Sequence, residues 1–491
     1  MKRAGLVLLL LGGCTVGPDF VRPAAPTDTG YTPEPLAVRT ASARTRGGEA
    51  QHFLADRDIP GDWWTLFRSP PLNGLIDQAL KANPDLDAAQ AALRQAQENV
   101  YAEQGALFPQ ASLSFQATKE RFSGASFGQP NNHVTFGLIT PTLNISYAPD
   151  VFGGTRRQIE SLTAQAEYQR FQLEATYLTL TSNVVVAAVQ EASLRGQIDA
   201  TQDIIRDQAQ SLKLVRDRFN LGGASRADVL TQEAQLAQTR ATLPPLQKQL
   251  AQTRNQLTAL AGQLPAHELA EMFALDSMHL PRDLPVSLPS QLIEQRPDVR
   301  AAEAQLHAAS AQIGVATANQ LPQFSITGSL GTVSSNFTNM FAPGTGVWSI
   351  AGGITQTLFD AGTLLHRKRA TVAAFEETAA QYRSTVIKAC QNVADSLRAL
   401  QSDADAMLAA AAAERSASAS LDLARRQYQL GAIDYLTLLN AQRTWQQARI
   451  SLVQAEANRY ADTAALFQAL GGGWWHRSDV APQVAENAKQ S

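Results

Sequence analysis

The chain says nearly the same thing twice, and that constrains its fold more than any other feature. Asn-Pro-Asp-Leu at Asn83 to Leu86 returns as Arg-Pro-Asp-Val at Arg296 to Val299. Ala88, Ala89, Ala91 and Leu93 return as Ala301, Ala302, Ala304 and Leu306, and Phe108-Pro109-Gln110 returns as Leu321-Pro322-Gln323. Pro84 and Pro297 are 213 residues apart, as are Pro109 and Pro322, so the spacing holds without a gap. Two units built alike predict internal pseudo-symmetry rather than one asymmetric active site. Such units tile readily around an axis, as the wall of a tube requires.

Composition narrows the partners. Across 491 residues hydrophobic content is 44%, charged content 17% and net charge −3, which excludes both a polyanion-binding footprint and a disordered chain. No apolar run reaches the roughly 18 residues of a membrane-spanning helix. The strongest apolar stretch, Leu6 to Leu11, follows Lys2 and Arg3 and leads into Leu11-Gly12-Gly13-Cys14. A basic start, a short apolar core and small residues before a cysteine form a secretory signal over 1–13. The segment resembles the lipobox Leu-x-Gly-Cys, marking Cys14 as the lipidated first residue of a mature bacterial lipoprotein. Such signals usually run about 15–30 residues, consistent with a start codon further upstream. Thr15, rather than Asp, after the cysteine favours sorting to the outer membrane. With Cys14 taken by lipid, Cys390 in a helical pattern is expected to be a small buried apolar side chain without a disulfide.

An extended arm, 14–68, is rich in Pro, Thr, Ala and Gly, and Trp63, Trp64 and Phe67 are expected to dock its end onto the body. The first repeat spans 69–280 with a β-hairpin at 110–148; the second spans 281–474 with a hairpin at 323–359; a tail, 475–491, follows. Asn83-Pro84-Asp85 starts a helix running from about Pro84 to Ala106, with proline in the first turn. Beyond it the apolar period drops to two: Leu113, Phe115 and Ala117 alternate with Ser112, Ser114 and Gln116, and Phe324, Ile326, Gly328 and Leu330 with Ser325, Thr327 and Ser329. Return strands follow at Val134 to Tyr147 and Val347 to Leu358, the former changing phase near Pro141, where a bulge or bend is expected. Strands of about 10 residues with one apolar and one small-polar face match transmembrane β-barrel strands. A soluble four-stranded sheet packed on helices has the same alternation. Four strands cannot close a barrel, whose minimum is about eight, so a barrel demands an oligomer in which each chain gives two hairpins.

The helical patterns run from Thr155 to Phe219 and from Ser225 to about Gly262, then again from Thr363 to Tyr428 and Ile433 to about Leu470. At ~1.5 Å per residue the long members span about 98 Å, while the Pro84 helix (about 35 Å) and its partner (about 57 Å) together match that length. A wall about 100 Å deep results, with strands at one end and glycine turns at the other. Ala and Gln with scattered Leu and Val suit shallow coiled-coil seams rather than lipid. Pro244-Pro245 is expected to interrupt one helix near its middle.

Several motifs carry a family resemblance. Cys14-Thr15-Val16-Gly17-Pro18-Asp19-Phe20-Val21-Arg22-Pro23, Trp63-Trp64, Pro297-Asp298-Val299-Arg300-Ala301-Ala302-Glu303 and Leu358-Phe359-Asp360-Ala361-Gly362 belong to the set. Tyr435 to Arg443 (YLTLLNAQR) and Ala469-Leu470-Gly471-Gly472-Gly473-Trp474 complete it. Together they resemble outer-membrane efflux lipoproteins, the lipidated, NodT-type branch of the TolC-like channel family. The resemblance spans essentially the whole mature chain. It implies a mainly α fold with a membrane β-barrel: a homotrimer with 12 strands in the outer membrane above a periplasmic α-helical tunnel. It further implies a passive exit duct for small molecules such as drugs, working with a periplasmic adaptor (membrane fusion) protein and an inner-membrane transporter of the RND type. A type I protein-secretion duct and a non-conducting, periplasm-spanning structural lipoprotein are the alternatives.

Catalytic constellations are weak. Gly124-Ala125-Ser126-Phe127-Gly128 fits the nucleophile-elbow pattern but lies between two strands, whereas that motif needs a strand before it and a helix after it. The seven histidines show no metal-ligand spacing, and Asp56, Asp58 and Asp62 lack the Gly and Glu of a calcium loop. No enzyme activity, metal, nucleic acid or cofactor is expected beyond the lipid on Cys14. The resemblance places function at the glycine turns. Leu221, Gly222, Gly223, Ala224 and Ser225, with Leu430, Gly431 and Ala432, are the implied adaptor-contact tips. Leu436 is the implied apolar plug of a periplasmic gate, Asn440 its polar ring with Arg443 nearby, and Asp228 and Tyr428 the latches between neighbouring hairpins. Family members commonly carry Asp where Asn440 stands, so three amides replace three carboxylates and the gate should attract cations less.

Cys14→Ala should leave the fold intact and abolish metabolic labelling with radioactive fatty acid; labelling at the parental level would refute the lipobox assignment.

Overall fold

The computed structural model describes residues 15–477, except positions 36, 56, 130 and 268. Cys14, the signal segment and most of the expected C-terminal tail lie outside the described residues. Two compact units emerge among the described residues: one from 15–23, 91–170 and 301–383, the other from 24–90, 171–300 and 384–477.

The first unit holds an antiparallel four-stranded sheet of β2 (Gln110–Ser123), β3 (His133–Tyr147), β5 (Gln323–Thr332) and β6 (Gly346–Thr355), in that spatial order. Strand alternation makes whole rows of one character. Leu113, Leu143, Leu330 and Trp348 are successive partners across the sheet, and so are Ser112, Asn144, Ser329 and Ser349. The polar row and its neighbours hydrogen-bond: Asn144 Nδ2 donates to Ser114 Oγ at 3.0 Å, and Ser329 and Ser349 hydroxyls meet at 2.7 Å. The apolar row stays uncovered, with Leu113 80% and Trp348 76% exposed. β2 and β6 are both edge strands. Pro141 causes no bulge against β2, whose pairing with β3 is continuous from Gln110↔Ser146 to Ser123↔His133. It breaks the other ladder instead: pairing with β5 stops at Thr142↔Gly331 and returns only as an isolated bridge, Ile139↔Ser334. A proline lacks the N–H that a strand flanked on both sides must donate, and the apolar residues change face at this point.

The N-terminal arm crosses the helices of this unit at one tight point. Here α3 (Gly154–Asn220) lies beside α6 (Pro297–Ala318), and Gly17, at φ +97, passes so near that a Cβ would sit 2.4 Å from Gly314 Cα. Arg157 fixes the crossing. Its guanidinium donates to Val16 O (3.2 Å) and Asp19 (2.6 Å), and it pairs with Glu160 at 2.7 Å. Phe20 stacks on His307 at 4.4 Å. These contacts account for Gly17-Pro18-Asp19-Phe20 as a docking motif.

In the second unit Trp63, Trp64 and Phe67 form a buried 3-10 turn, as expected. Trp63 packs against Phe467 (5.3 Å), Trp64 against Tyr177 and Phe67 against Tyr460 (both 6.3 Å). Phe467 and Tyr460 lie on α8 (Tyr435–Ala469), which also carries the buried Arg459. That guanidinium donates to Gly47 O, Glu49 O and Gln51 Oε1 at 2.5, 2.9 and 3.1 Å, so the arm's own backbone satisfies a charge otherwise costly to bury. A short parallel pair, β1 (His52–Ala55) with β4 (Asp283–Val286), was not legible in the sequence. Two strands of four residues carry too little periodicity to register.

The remaining helices are α1 (Pro70–Ala82), α2 (Pro84–Gln104), α4 (Arg226–Leu260), α5 (Pro289–Gln295) and α7 (Thr363–Gln429). α3 and α7 both have 67 residues, and α4 and α8 both 35. Contrary to expectation, α4 runs on through Pro244 and Pro245. The two prolines remove two ladder donors, but Arg240 and Ala241, whose carbonyls lose them, are exposed to solvent. Cys390, on α7, is half-buried rather than buried, and burial raises its thiol pKa.

On α7, burial and the hydrogen-bonded neighbour Asp462 push the Asp403 carboxyl up to about 7. A carboxyl raised in this way holds its proton in the folded state, so the fold gains from low pH and loses that gain as pH rises from about 4 towards 7. Asp403→Asn should flatten this dependence, read as the thermal midpoint at pH 5 and pH 8; an unchanged difference would exclude Asp403 as its source.

Candidate functional site

The tips of the two long hairpins have one construction. Gly222 (φ +78) and Gly431 (φ +72) each reverse the chain in the left-handed region, where an L side chain is strained. In both, the next amide closes back five residues, Gly223 N to Arg218 O at 2.8 Å and Ala432 N to Gln427 O at 2.9 Å. The glycine amides bond to Phe219 O and Tyr428 O at 3.0 and 3.1 Å, completing a Schellman pair at each end. The descending helices then start on side-chain caps. Ser225 and Asp228 form a reciprocal capping box, and Asp434 accepts from Thr437 N at 2.8 Å. Leu221 and Leu430 project into solvent, 86% and 84% exposed.

Behind the tips Val215, Leu421, Ala424, Tyr428, Tyr435, Leu438 and Leu439 make a small core, with Ala224, Ile433 and Ala441 packed against it. Tyr428 sits in this core, its ring 5.8 Å from Tyr435, with the Arg218 guanidinium 4.5 Å above it. Burial raises the Tyr435 phenol above its ordinary pKa. Asp228 is engaged by Ser225, whose hydroxyl donates to it at 2.8 Å. The structure therefore gives Asp228 and Tyr428 separate in-chain roles and no hydrogen bond to each other. Leu436, Asn440 and Arg443 recur at helical spacing along one exposed side of α8, with Leu436 58% exposed. Arg443 reaches across to α4, its Nε donating to Gln235 Oε1 at 2.7 Å.

Sequence reasoning missed the polar ties that set these helices against each other. Arg425 pairs with Asp207 (2.7 Å) and Arg449 with Asp203 (3.2 Å), while Gln442 donates to Ser211 Oγ (3.2 Å) and Gln232 to Gln208 O (3.0 Å). Arg218, over the Tyr428 ring, has the local signal these ties lack, a cation in the last turn of α3.

Chemistry-bearing alternatives are poor. Gly124–Phe127 is a 3-10 turn between β2 and β3, with no following helix to expose a nucleophile. Among the described residues no group of three or more His, Cys, Asp or Glu is placed to hold a metal ion, and no helix is long and apolar enough to cross a membrane. A cavity of about 700 Å³ in the second unit is lined by alternating charges already paired with each other, Arg46 with Asp276 at 3.4 Å and Arg57 with Asp283 at 3.8 Å.

An open sheet with one bare apolar face, joined to long glycine-tipped helical hairpins, defines the subunit of an outer-membrane channel. The chain belongs to the outer membrane efflux protein family, whose model matches residues 75–263 and 288–472. It is 30% identical over 495 residues to the toluene efflux pump outer membrane protein TtgF of Pseudomonas putida, covering 97% of each chain. It is 30% identical over 491 residues to the pyoverdine export outer membrane protein OpmQ of Pseudomonas aeruginosa, covering 96% of this chain and 97% of that one. The solved outer-membrane channel OprN superposes with a TM-score of 0.85 at 28% identity, covering 94% of this chain and all of OprN's. The expected fold class and function are thereby borne out: this is an outer-membrane efflux channel protein.

Gly222→Ala or Gly431→Ala should each cost ~1–2 kcal/mol of local stability from backbone strain alone, since nothing lies within 4 Å of the added Cβ. Amide exchange across 215–230 or 424–439 should accelerate; unchanged protection would mean the turns tolerate the substitution.

Proposed function

We propose that three copies of this chain form a passive exit duct, each giving two hairpins to a 12-stranded barrel in the outer membrane and its helices to a periplasmic tunnel. The observation that carries this reading is the pair of open edges, β2 and β6, on a sheet whose apolar face is bare. Backbone groups at a sheet edge have no partner in lipid, so the edges must meet another chain and close. The polar face, with Ser112, Ser114, Ser325 and Thr327, becomes the wetted wall. Small hydroxyls discriminate little, which suits a duct that receives cargo already chosen elsewhere. The relatives' names point the same way, attaching toluene to one and pyoverdine to another.

In this reading Cys14 carries a lipid that anchors the arm to the membrane. The glycine tips, Leu221 to Ser225 and Leu430 to Ala432, receive a periplasmic adaptor linked to an inner-membrane transporter of the RND type. Leu436, Asn440 and Arg443 ring the periplasmic mouth, and the hairpins relax outward when the adaptor engages. No step requires a cofactor or a catalytic residue, and the duct acts as a channel rather than an enzyme.

The purified protein should conduct in planar bilayers, and complete absence of pores would overturn the channel reading. Asn440→Asp restores a carboxylate ring and should shift the reversal potential in a salt gradient towards cations; an identical potential would remove Asn440 from the gate.

A further inference from the structure

The sheet carries almost no charge, and what it carries is sorted by face. Between Gln110 and Tyr147 the only acidic or basic side chains are Lys119, Glu120, Arg121 and His133, and between Gln323 and Thr355 there are none. Strand alternation puts Lys119 and Arg121 on the face of Leu113, and Glu120 on the other face with Ser112 and Ser114. The register with β3 extends the pattern. Leu113 with Leu143, Phe115 with Pro141 and Ala117 with Ile139 are followed by Lys119 with Gly137, Arg121 with Thr135 and Ser123 with His133. Apolar pairs thus stop at Ala117 and Ile139, and basic groups begin at once. Lys119, Arg121 and His133 are exposed, and among the described residues no side-chain hydrogen bond or ion pair engages them.

We propose that Lys119 and Arg121, with His133 beside them, hold the phosphates of a phosphorylated glycolipid in the outer leaflet of the membrane. This rests on the barrel reading above and names the lipid that the barrel's outer rim selects.

Level, spacing and sign all fit such a headgroup. From Gln110 to Lys119 β2 advances about 30 Å, and at a barrel tilt of about 40° it rises about 23 Å. The apolar band of a barrel is about 25 Å tall, so Lys119 stands at its upper edge, at the end of the hairpin remote from the helices. A lysine or arginine on the lipid face is costly at the bilayer centre and nearly neutral at the interface, which fits this level and no lower one. Beyond Pro141 the apolar residues of β3, Leu138, Phe136 and Val134, lie on the face of Glu120, so the outer face has stopped being a surface for lipid tails. Trp348, on the face of Leu113 and third in β6, supplies the amphipathic ring characteristic of the headgroup level. The long stems of Lys119 and Arg121 let both keep their methylenes among acyl chains and their charge among headgroups. Along the strand, Lys119 and the Ser123–His133 pair are about 13 Å apart, wider than one inorganic phosphate. The arginine fork can grip a phosphate through two hydrogen bonds. A lysine on an edge strand also discourages aggregation, but that role is indifferent to face, whereas here both bases share one face and the acid takes the other.

The test uses the full-length protein, purified in detergent and stripped of lipid, with bound lipid counted by native mass spectrometry. Bisphosphorylated lipid A should bind, and its dephosphorylated form should not. Lys119→Gln with Arg121→Gln should weaken that binding about tenfold or more. Glu120→Gln should leave it unchanged, and exchanging the bases, Lys119→Arg with Arg121→Lys, should retain it. Equal binding of the dephosphorylated lipid, undiminished binding by the double glutamine variant, or equal loss in the exchanged variant would overturn the site. Complete displacement of the lipid by an equal concentration of inorganic phosphate would make the free ion the ligand and overturn the lipid assignment. Conductance of the parental protein in planar bilayers reports the barrel separately. Pores without a preference for the phosphorylated lipid would overturn this site alone, and no pores would overturn both.

Discussion

Everything in this molecule depends on the two unpaired edges of a four-stranded sheet. The interior strands β3 and β5 pair with each other over Thr142–Tyr147 and with an outer strand each, while β2 and β6 each leave one row of N–H and C=O groups open. In water such edges invite aggregation; in lipid each unpaired group costs several kcal/mol and the arrangement is not viable alone. The bare apolar row through Leu113, Leu143, Leu330 and Trp348 makes water the wrong solvent for the outer face. The proposed trimer, inserted in the membrane, would answer both demands at once.

The helices are held differently. Besides the small apolar core behind the tips, polar cross-ties such as Arg425–Asp207 and Gln442–Ser211 join neighbouring helices. Half-exposed ion pairs contribute little stability each but are specific about register. The ends are stiffer than the seams: each tip is closed by a left-handed glycine and a capped helix start.

The duplication also shows where equality had to be broken. The α3–α6 pair admits the N-terminal arm through facing glycines, Gly17 and Gly314, whereas the position matching Gly314 in the first repeat is Tyr101. Ser225 with Asp228 caps one descending helix, and Asp434 alone caps its counterpart, leaving α8 free to carry Leu436, Asn440 and Arg443.

Much of the fold was written in local pattern. Period-two alternation located the strands, period 3.6 located the helices to within a residue or two, and glycine after each apolar run marked the turns, because backbone preference and side-chain facing are decided within a few residues. Trp63, Trp64 and Phe67 announced a docking point, since so much aromatic surface has to be buried somewhere. What the sequence could not give were facts set by neighbours distant in the chain. Pro141 breaks a ladder to β5 rather than bulging against β2, which depends on which strand lies beside it. Pro244 and Pro245 are carried inside α4 because the carbonyls they orphan face solvent. Asp228 and Tyr428 are occupied by Ser225 and by Arg218, and Arg459 is buried because Gly47 and Glu49 return to it from 410 residues away and more. The sequence alone determined the repeat, its elements and the family; the tertiary structure decided which faces are covered and which are left open, because burial belongs to pairs of surfaces and no single segment encodes its partner.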